Sequence, residues 1–456
     1  MTYYLFIDEK GPQNKMKVQD KLTSSLDNNP GHKFKLSDDI MTTYFAAGLL
    51  IEKTKFRNFE KDFLEIENQY RSKFLKSSNT ESELKGAKIL KKKTTNGFAS
   101  LTTDIVMFYN QLFTLIKKHG AKLCILTESK VENIVENILN NLNVKKAFCE
   151  YMNEKDSNWY KDSDIIIRQR KIDKGRKIII YSLAKYLINE PSPHVIKILN
   201  SGSFTIKEIL TAIMIDLNNI IDNFNNKERD PNAKGDNQRG SNQKQNYEEM
   251  IEILENIIHQ KNLKSITLDD SIGNFNWKKI IAQLCNFFSD SNINSNDVLI
   301  YLDEGIKKTD FEKINLKGIH EGINSKNCPG VRICDLIVTL VGSIASKLSQ
   351  VLRYNPESPL ERTLIPQKWF QFSNKNIKFA NGENHFKLIR NLNSKLNKDI
   401  SYQMDIFNDD LQCFIAYTNF LSYFKSYTEL TTYIEQILND SILRLYIDQQ
   451  NSIFNI

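Results

Sequence analysis

The sequence YYLFIDEKG, from Tyr3 to Gly11, contains a short apolar run that ends in two acids. Continuous apolar runs of this length are typical of a central strand that is covered on both faces. Asp8 stands at the C-terminal end of this run, and Gly11 follows closely, where a turn lets backbone and substrate approach. The segment therefore predicts the first strand of an α/β protein, with Asp8 as a candidate site residue.

A second acid lies inside apolar sequence far downstream, in GVRICDLIV from Gly330 to Val338. Helical spacing puts Asp335 on a narrow polar sector with Arg332 and Thr339. Because an ionised carboxylate removed from water costs several kcal/mol unless a cation or donors compensate it, two such acids predict a shared metal site. The alternative is that Asp335 is an acid in the first helical turn, favoured by the helix dipole or paired with Arg332.

Periodicity elsewhere predicts strands and helices in the alternation of an α/β fold. Further strands are predicted at 42–51, 122–127 and 298–302, and helices at 55–80, 101–118, 131–142 and 331–352. The middle of the chain is predicted to be mostly helical, most clearly at 209–224 and 248–260. Between these two helices, residues 225–246 contain no large apolar side chain and cannot repay the entropy of ordering, so we expect a disordered loop.

After Arg353, Pro356 and Pro359 break the pattern, and a region rich in Phe and Tyr follows. We expect it to be a helical appendage whose apolar faces pack onto the core instead of binding a ligand. The chain is thus predicted to divide into residues 1–150 as the first part of the core, 151–290 as a mostly helical insertion, 291–352 as the last core strand and helix, and 353–456 as a helical C-terminal region.

Composition is that of a soluble globular protein. The chain has 456 residues, of which 40% are hydrophobic and 26% charged, and no apolar stretch approaches the roughly 20 residues that cross a bilayer. Because the N-terminus runs directly into an acid-ending strand and not a signal segment, we expect a cytoplasmic protein with no membrane partner. The six cysteines are scattered without a C-x-x-C pair, which predicts reduced core thiols.

Several enzyme classes are disfavoured by the motifs that the sequence lacks. Its six histidines never occur at H-x-x-x-H or H-x-H spacing, which argues against a zinc hydrolase. The sequence has no G-x-x-x-x-G-K-S/T loop, G-x-S-x-G elbow or Rossmann glycine pattern, which argues against an NTPase, an esterase or a dehydrogenase.

The basic side chains permit a nucleic-acid partner without requiring one, since the formal net charge of +7 is modest for this length. Two clusters of basic residues stand out, one at Lys85, Lys88, Lys91, Lys92 and Lys93 and one at 168–177. They either line a groove that tracks phosphates or form an ordinary solvated surface.

Four short segments together carry a family resemblance. SELKGAK at 82–88 and VLIYLDEG at 298–305 join the two acid-bearing segments, and in this order they resemble the RNase H-like family called domain of unknown function 3800. Three positions differ from the usual family residues: Lys10 replaces a small residue, Cys334 replaces Ala, and Arg332 replaces Gln. The resemblance implies an α/β fold with an RNase H-like mixed sheet flanked by helices, a helical insertion and a helical C-terminal appendage.

The resemblance also implies a two-metal phosphodiesterase, in which three or four carboxylates hold two Mg²⁺ or Mn²⁺ ions about 4 Å apart. Family acids come from the first strand, an early helix or loop, the fourth strand and the last helix, which here selects Asp8, Glu83, Asp303 and Asp335 as catalytic metal ligands. Glu128, at the end of another strand, competes with Asp303 for the remaining metal position. Without the resemblance, Glu83 is better interpreted as an exposed acid that begins a lysine-balanced helix.

Candidate substrate contacts are basic side chains. Lys130 resembles a family lysine that follows a strand and is a candidate phosphate contact, and Lys88, Lys91 and Lys92 belong to the first basic cluster. His320 is expected in the loop before the last core helix, where it either assists product release or is an ordinary surface histidine.

These observations predict a divalent-metal-dependent nuclease that hydrolyses the phosphodiester bonds of DNA or RNA. The resemblance alone implies its setting, an accessory or effector nuclease of a phage-defence locus or a mobile element. The alternative, motivated by Lys10 and Cys334, is a catalytically silent RNase H-like module that binds nucleic acid, a protein partner or a second copy through its aromatic C-terminal region. A third candidate is hydrolysis of a small phosphate, against which the basic clusters argue.

Overall fold

The computed structural model of the protein describes residues 1–10, 43–75, 83–91, 93–129, 183, 186, 192–200, 204–228, 237–259, 265–266, 277–353, 379–395 and 410–439. A five-stranded mixed sheet lies at its centre. The strands of this sheet are β1 (Tyr3–Lys10), β2 (Thr43–Glu52), β3 (Lys122–Ser129), β6 (Val298–Asp303) and β7 (Gly318–Ile323), and a separate pair is formed by β4 (Phe204–Thr205) and β5 (Ser265–Ile266).

Across the sheet the strand order is β3-β2-β1-β6-β7. Strand β2 runs antiparallel to both of its neighbours, whereas β6 runs parallel to β1 and to β7. The described helices are α1 (Lys53–Phe74), α2 (Gly86–Leu90), α3 (Thr103–Lys118), α4 (Pro193–Asn200), α5 (Ile206–Glu228), α6 (Asn237–Ile258), α7 (Trp277–Asp290), α8 (Pro329–Arg353), α9 (Gly382–Asn393), α10 (Asp410–Tyr423) and α11 (Tyr427–Asn439).

An apolar layer covers each face of the sheet. Because successive strand side chains point to opposite faces, Phe6 and Phe45 join a layer with α1, α3 and α8, whereas Leu5 and Tyr44 join a layer with α7. Strand β2 is buried along nearly its whole length, as its continuous apolar sequence predicts for a strand covered on both faces. The predicted α/β class is confirmed, and so are the strands at 42–51, 122–127 and 298–302 and the helices at 101–118 and 331–352, to within two or three residues at each end.

Strand β7 was not predicted, and it corrects the expectation that His320 lies in a loop. The segment reads GIHEGI, in which only two of six residues are large and apolar, so neither alternation nor a continuous apolar run identifies it. Most of its side chains are partly or fully exposed, as is usual for a strand at the edge of a sheet.

The predicted disordered loop at 225–246 is wrong at both ends. Helix α5 continues to Glu228 and α6 begins at Asn237, so the predicted loop is helical at both ends. Polar side chains there form pairs four residues apart, Lys244 with Glu248 at 3.9 Å and Gln245 with Glu249 at 3.0 Å, which stabilise a helix without apolar burial. The helix predicted at 131–142 lies outside the described residues.

The core resumes earlier than the predicted boundary at 291. Helix α7, which falls within the predicted insertion, buries Ile280, Leu284 and Phe288 against the sheet. Its hydrogen bonds reinforce the packing, because the Gln283 side-chain amide donates to the carbonyl of Thr127 at 2.6 Å and accepts from its N–H at 3.0 Å.

The C-terminal helices pack onto the core, as their apolar faces predict. Leu388 of α9 and Phe414 and Leu421 of α10 are buried in the same apolar layer as α8. The described part of the C-terminal region is therefore continuous with the core. Among the described helices, none is long and apolar enough to cross a membrane.

Candidate carboxylate site

Asp8 and Asp303 are neighbours on adjacent parallel strands. The register aligns Phe6 of β1 with Tyr301 of β6, and their rings stack with centroids 5.2 Å apart. Each acid lies two residues further along its strand, so the strand period of two puts both acids on the face that Phe6 and Tyr301 share. Since neighbouring strands lie about 4.8 Å apart, the two carboxylates lie side by side near the C-terminal ends of β1 and β6.

Helix α8 brings a third acid, Asp335, to this face. Its Oδ2 accepts a hydrogen bond from the Gly86 N–H at 2.8 Å, and its Oδ1 accepts one from the Thr339 hydroxyl at 3.2 Å. The first turn of α8 contains no acid, and Arg332 bonds elsewhere. Neither the helix dipole nor a pair with Arg332 therefore explains the position of Asp335.

The three aspartates repel one another. Burial is the largest cause that raises the pKa of Asp8 to about 8, and repulsion from Asp303 and Asp335 contributes to the same shift. Burial likewise raises the pKa of Asp303 and of Asp335, and repulsion from Asp335 adds to the shift of Asp303. Buried like charges destabilise a fold unless protonation or a cation relieves the repulsion, so these three acids form a candidate functional site.

Glu83 lies at the rim of the site. Its Oε2 accepts a hydrogen bond from the Ser325 hydroxyl at 3.1 Å, and its Oε1 lies 2.9 Å from the Lys85 ammonium. The bond to Glu83 is the largest cause that raises the pKa of Lys85, and the charges of Asp335 and Asp303 contribute. Lys85 therefore links Glu83 to the aspartates, and Glu83 is not a fully exposed acid that begins a helix.

The segment that carries Glu83 approaches α8 closely because residue 86 is glycine. A Cβ at Gly86 would lie 2.6 Å from the Thr339 Cβ, which is closer than real side chains come. The missing side chain lets the Gly86 N–H reach the Asp335 carboxylate.

A buried ion pair fixes the segments on both sides of the rim. Arg332 Nη1 donates to both carboxylate oxygens of Glu67, at 2.8 and 2.7 Å, and the two residues are 5% and 0% exposed. Glu67 Oε1 also accepts from the Leu84 N–H at 3.1 Å. Arg332 donates in addition to the carbonyl oxygens of Ser325 at 3.2 Å and Lys326 at 3.1 Å. The pair thus connects α1 and α8 to Leu84, which follows Glu83, and to Ser325, whose hydroxyl donates to Glu83.

Glu128 is not gathered into this site. On β3, Ile125 joins the layer with α8, whereas Cys124 and Leu126 join the layer with α7. The period of two therefore turns Glu128 toward α7, on the opposite face of the sheet from the aspartates. The geometry therefore favours Asp303 over Glu128 as the candidate for the remaining metal position.

Two further residues, Cys334 and Lys10, lie beside the acids. The buried Cys334 donates its thiol to the carbonyl oxygen of Phe6 at 3.2 Å and so helps dock α8 on β1. Lys10 shares the Asp8 face of β1, and burial lowers its pKa while the charges of Asp335 and Asp8 oppose that shift. The site therefore contains a basic side chain of the chain's own.

The predicted substrate lysines are only partly within the described residues. Lys88 in α2 and Lys91 just after it are exposed. Lys92, Lys130 and the cluster at 168–177 lie outside the described residues.

Sequence reasoning missed Glu67 and the roles of Lys85 and Gly86. Lys85 and Gly86 belong to the SELKGAK segment, so their place beside Glu83 was a usable signal. Glu67 is one of several acids in a charged helix, and no pattern in the sequence distinguishes it.

The donor set suits a hard divalent cation, because Mg²⁺ and Mn²⁺ prefer carboxylate oxygens. Within the described residues, no group of three or more His, Cys, Asp or Glu side chains is already arranged to hold a metal ion.

Compared with protein-family models, with curated proteins and with solved structures, the chain shows no significant match.

Proposed function

We propose that this protein is an RNase H-like, divalent-metal-dependent nuclease that hydrolyses phosphodiester bonds of DNA or RNA. The observation that carries the proposal is the convergence of Asp8, Asp303 and Asp335 from β1, β6 and α8, with the pKa of each raised. The acids arise from the first strand, the fourth strand of the sheet in chain order and a late core helix, as the family resemblance implies.

Mg²⁺ or Mn²⁺ bound here would activate water and stabilise the charge that develops on the leaving oxygen. Asp8, Asp303 and Asp335 would hold the ions, with Glu83 completing the set from the rim. Gly86 and Thr339 orient Asp335 by a hydrogen bond to each of its oxygens. Lys85 and the exposed Lys88 and Lys91 present positive charge toward a phosphate backbone.

A nuclease assay with matched variants tests this function. The purified protein is incubated with single-stranded and double-stranded DNA and RNA in Mn²⁺, in Mg²⁺ and in EDTA. We expect cutting only with metal, and we expect Asp8→Asn and Asp335→Asn to lower it at least about 100-fold, while Glu128→Gln on the opposite face leaves it within about threefold. Cutting in EDTA, or undiminished cutting by both aspartate variants, would contradict the proposal.

A second candidate function is a catalytically silent module that binds nucleic acid or a protein, and Lys10 is the observation that favours it. Lys10 lies close enough to Asp8 and Asp335 for their charges to favour its protonated form, and in that form it offsets part of the negative charge that would otherwise attract a metal. A thermal-shift titration separates the two candidates, since millimolar Mn²⁺ should stabilise a nuclease through its carboxylates and leave a silent module unchanged.

A further inference from the structure

A stack of aromatic rings crosses the sheet just behind the carboxylate site. Phe56 of α1 stacks on Phe6 of β1 at 4.9 Å, Phe6 stacks on Tyr301 of β6 at 5.2 Å, and Tyr301 stacks on His320 of β7 at 4.8 Å. The interplanar angles of the three pairs are 27°, 26° and 18°. The rings therefore form one continuous series from the apolar core to the edge of the sheet.

This series ends on an exposed ring. Phe6 is buried, Tyr301 is half-buried and His320 is exposed. Tyr301 covers one face of the imidazole, and β7 is the outermost strand on its side of the sheet among the described residues. The outward face of His320 is therefore open to a further flat ring.

The stack is in register with the acids. Tyr301 lies two residues before Asp303 on β6, on the same face, so the ring row and the acid row are about 7 Å apart along the strands. His320 also lies one strand further across the sheet than Asp303, so the two residues are separated by about 7 Å along the strands and about 4.8 Å across them. A base on the outward face of His320 and a phosphate at the aspartates can therefore belong to nearby nucleotides of one strand.

The edge strand is shaped locally at this point. Between the rows Tyr301–His320 and Asp303–Ile323, β6 advances by two residues and β7 by three, which is a β-bulge. Gly322 takes up the extra residue at φ 68°, a left-handed conformation that glycine adopts without strain. Bulges of this kind re-aim side chains at sheet edges next to functional sites.

We propose that the outward face of His320 is a stacking platform for an unpaired nucleobase adjacent to the phosphate that the carboxylate site cuts. The inference rests on the proposed nuclease function and adds a substrate class to it, single-stranded or locally unpaired nucleic acid. A base inside a duplex is covered by its neighbours and is not free to extend the ring series. Because every base has a π-face, the platform tolerates any base at this position.

The binding test uses short single-stranded DNA and RNA oligonucleotides that carry the fluorescent base 2-aminopurine at one position each. They are mixed with the full chain in the Asp8→Asn background, so that binding is observed without cutting. We expect quenching to be strongest at one position along the oligonucleotide. His320→Ala should remove that quenching and weaken binding by about 5- to 150-fold.

Two variants make the result specific. His320→Phe keeps an aromatic face without a basic nitrogen and should retain quenching and affinity, which separates stacking from a basic role in product release. His194→Ala removes an exposed histidine from α4 and should change nothing.

Native protein is assayed in parallel for cutting in Mn²⁺. His320→Ala should raise KM for single strands, and an abasic nucleotide at the quenched position should have the same effect on native protein. If native protein cuts and His320→Ala changes neither KM nor quenching, the stacking platform is wrong and the nuclease proposal is unaffected. Quenching that depends on His320 without any cutting would uphold the platform and overturn the nuclease, whereas neither binding nor cutting would overturn both.

Discussion

Replacing Arg332 with Met tests how strongly the buried ion pair holds the site together. Arg332 and Glu67 are 5% and 0% exposed and lie 2.7 Å apart at their closest atoms. Removing Arg332 leaves the buried Glu67 carboxylate with only the partly exposed Arg71, 3.4 Å away, and the Leu84 N–H as partners. Breaking a buried pair typically costs about 3–5 kcal/mol, and Arg71 places the expected loss toward the lower end of that range. Against a total stability of about 5–15 kcal/mol, Arg332→Met should lose a large fraction of the free energy of unfolding.

Denaturant unfolding followed by circular dichroism measures this loss, with two comparisons. Lys73→Met breaks a pair of the same length, 2.7 Å, whose side chains are 46% and 53% exposed, and should cost at most about 1 kcal/mol. Adding Glu67→Gln to Arg332→Met removes the buried charge that has lost its closest cation and keeps an acceptor for the Leu84 N–H, so at least about 1 kcal/mol should return. A loss below about 1 kcal/mol in Arg332→Met, or a double variant less stable than Arg332→Met alone, would refute the reasoning.

Three further predictions follow from the site. The pKa of Asp8 is raised from 3.8 to about 8, so between these values the folded protein binds a proton that the unfolded chain releases. In EDTA the free energy of unfolding should therefore fall as pH rises from about 4 to 8, and an equal slope in Asp8→Asn would contradict this assignment. Gly86→Ala forces a Cβ to 2.6 Å from the Thr339 Cβ and should cost about 1–3 kcal/mol in denaturant unfolding, with weaker Mn²⁺ binding by calorimetry; unchanged stability would show that the close approach is absent. Asp303→Asn should abolish thermal stabilisation by Mn²⁺ and Glu128→Gln should not, and the reverse pattern would assign the metal position to Glu128.

The sequence was informative where burial and periodicity coincide. The continuous apolar run of β2 and the helical spacing of α8 identify core elements that tertiary packing then completes. Asp8 and Asp335 stood out because each is an acid inside apolar sequence. That these acids meet in space was predicted from the cost of burying charge, and the structure brings them together.

Features that depend on pairing partners were harder to predict. Strand β7 has little apolar content and owes its conformation to pairing with β6. Asp303 and Glu128 lie on opposite faces of the sheet. A shift of one residue in strand register would move either side chain to the other face, so the sequence alone does not distinguish them. Only its contact with Arg332 distinguishes Glu67 from the other acids of α1.

The effect of Lys10 on the site is not predictable from the sequence alone. Its position two residues after Asp8 fixes the face of the strand, but its interaction with Asp335 depends on how α8 docks. The consequence of this lysine for metal affinity is a property of the folded site and is open to direct measurement.

The most direct measurement is a crystal structure of the protein grown with Mn²⁺, with the ion located by its anomalous scattering. We expect at least one Mn²⁺ with oxygens of Asp8, Asp303 and Asp335 within about 2.5 Å. Crystals with no ion at these aspartates, or with Mn²⁺ bound only elsewhere, would contradict the claim that the fold gathers them into a metal site.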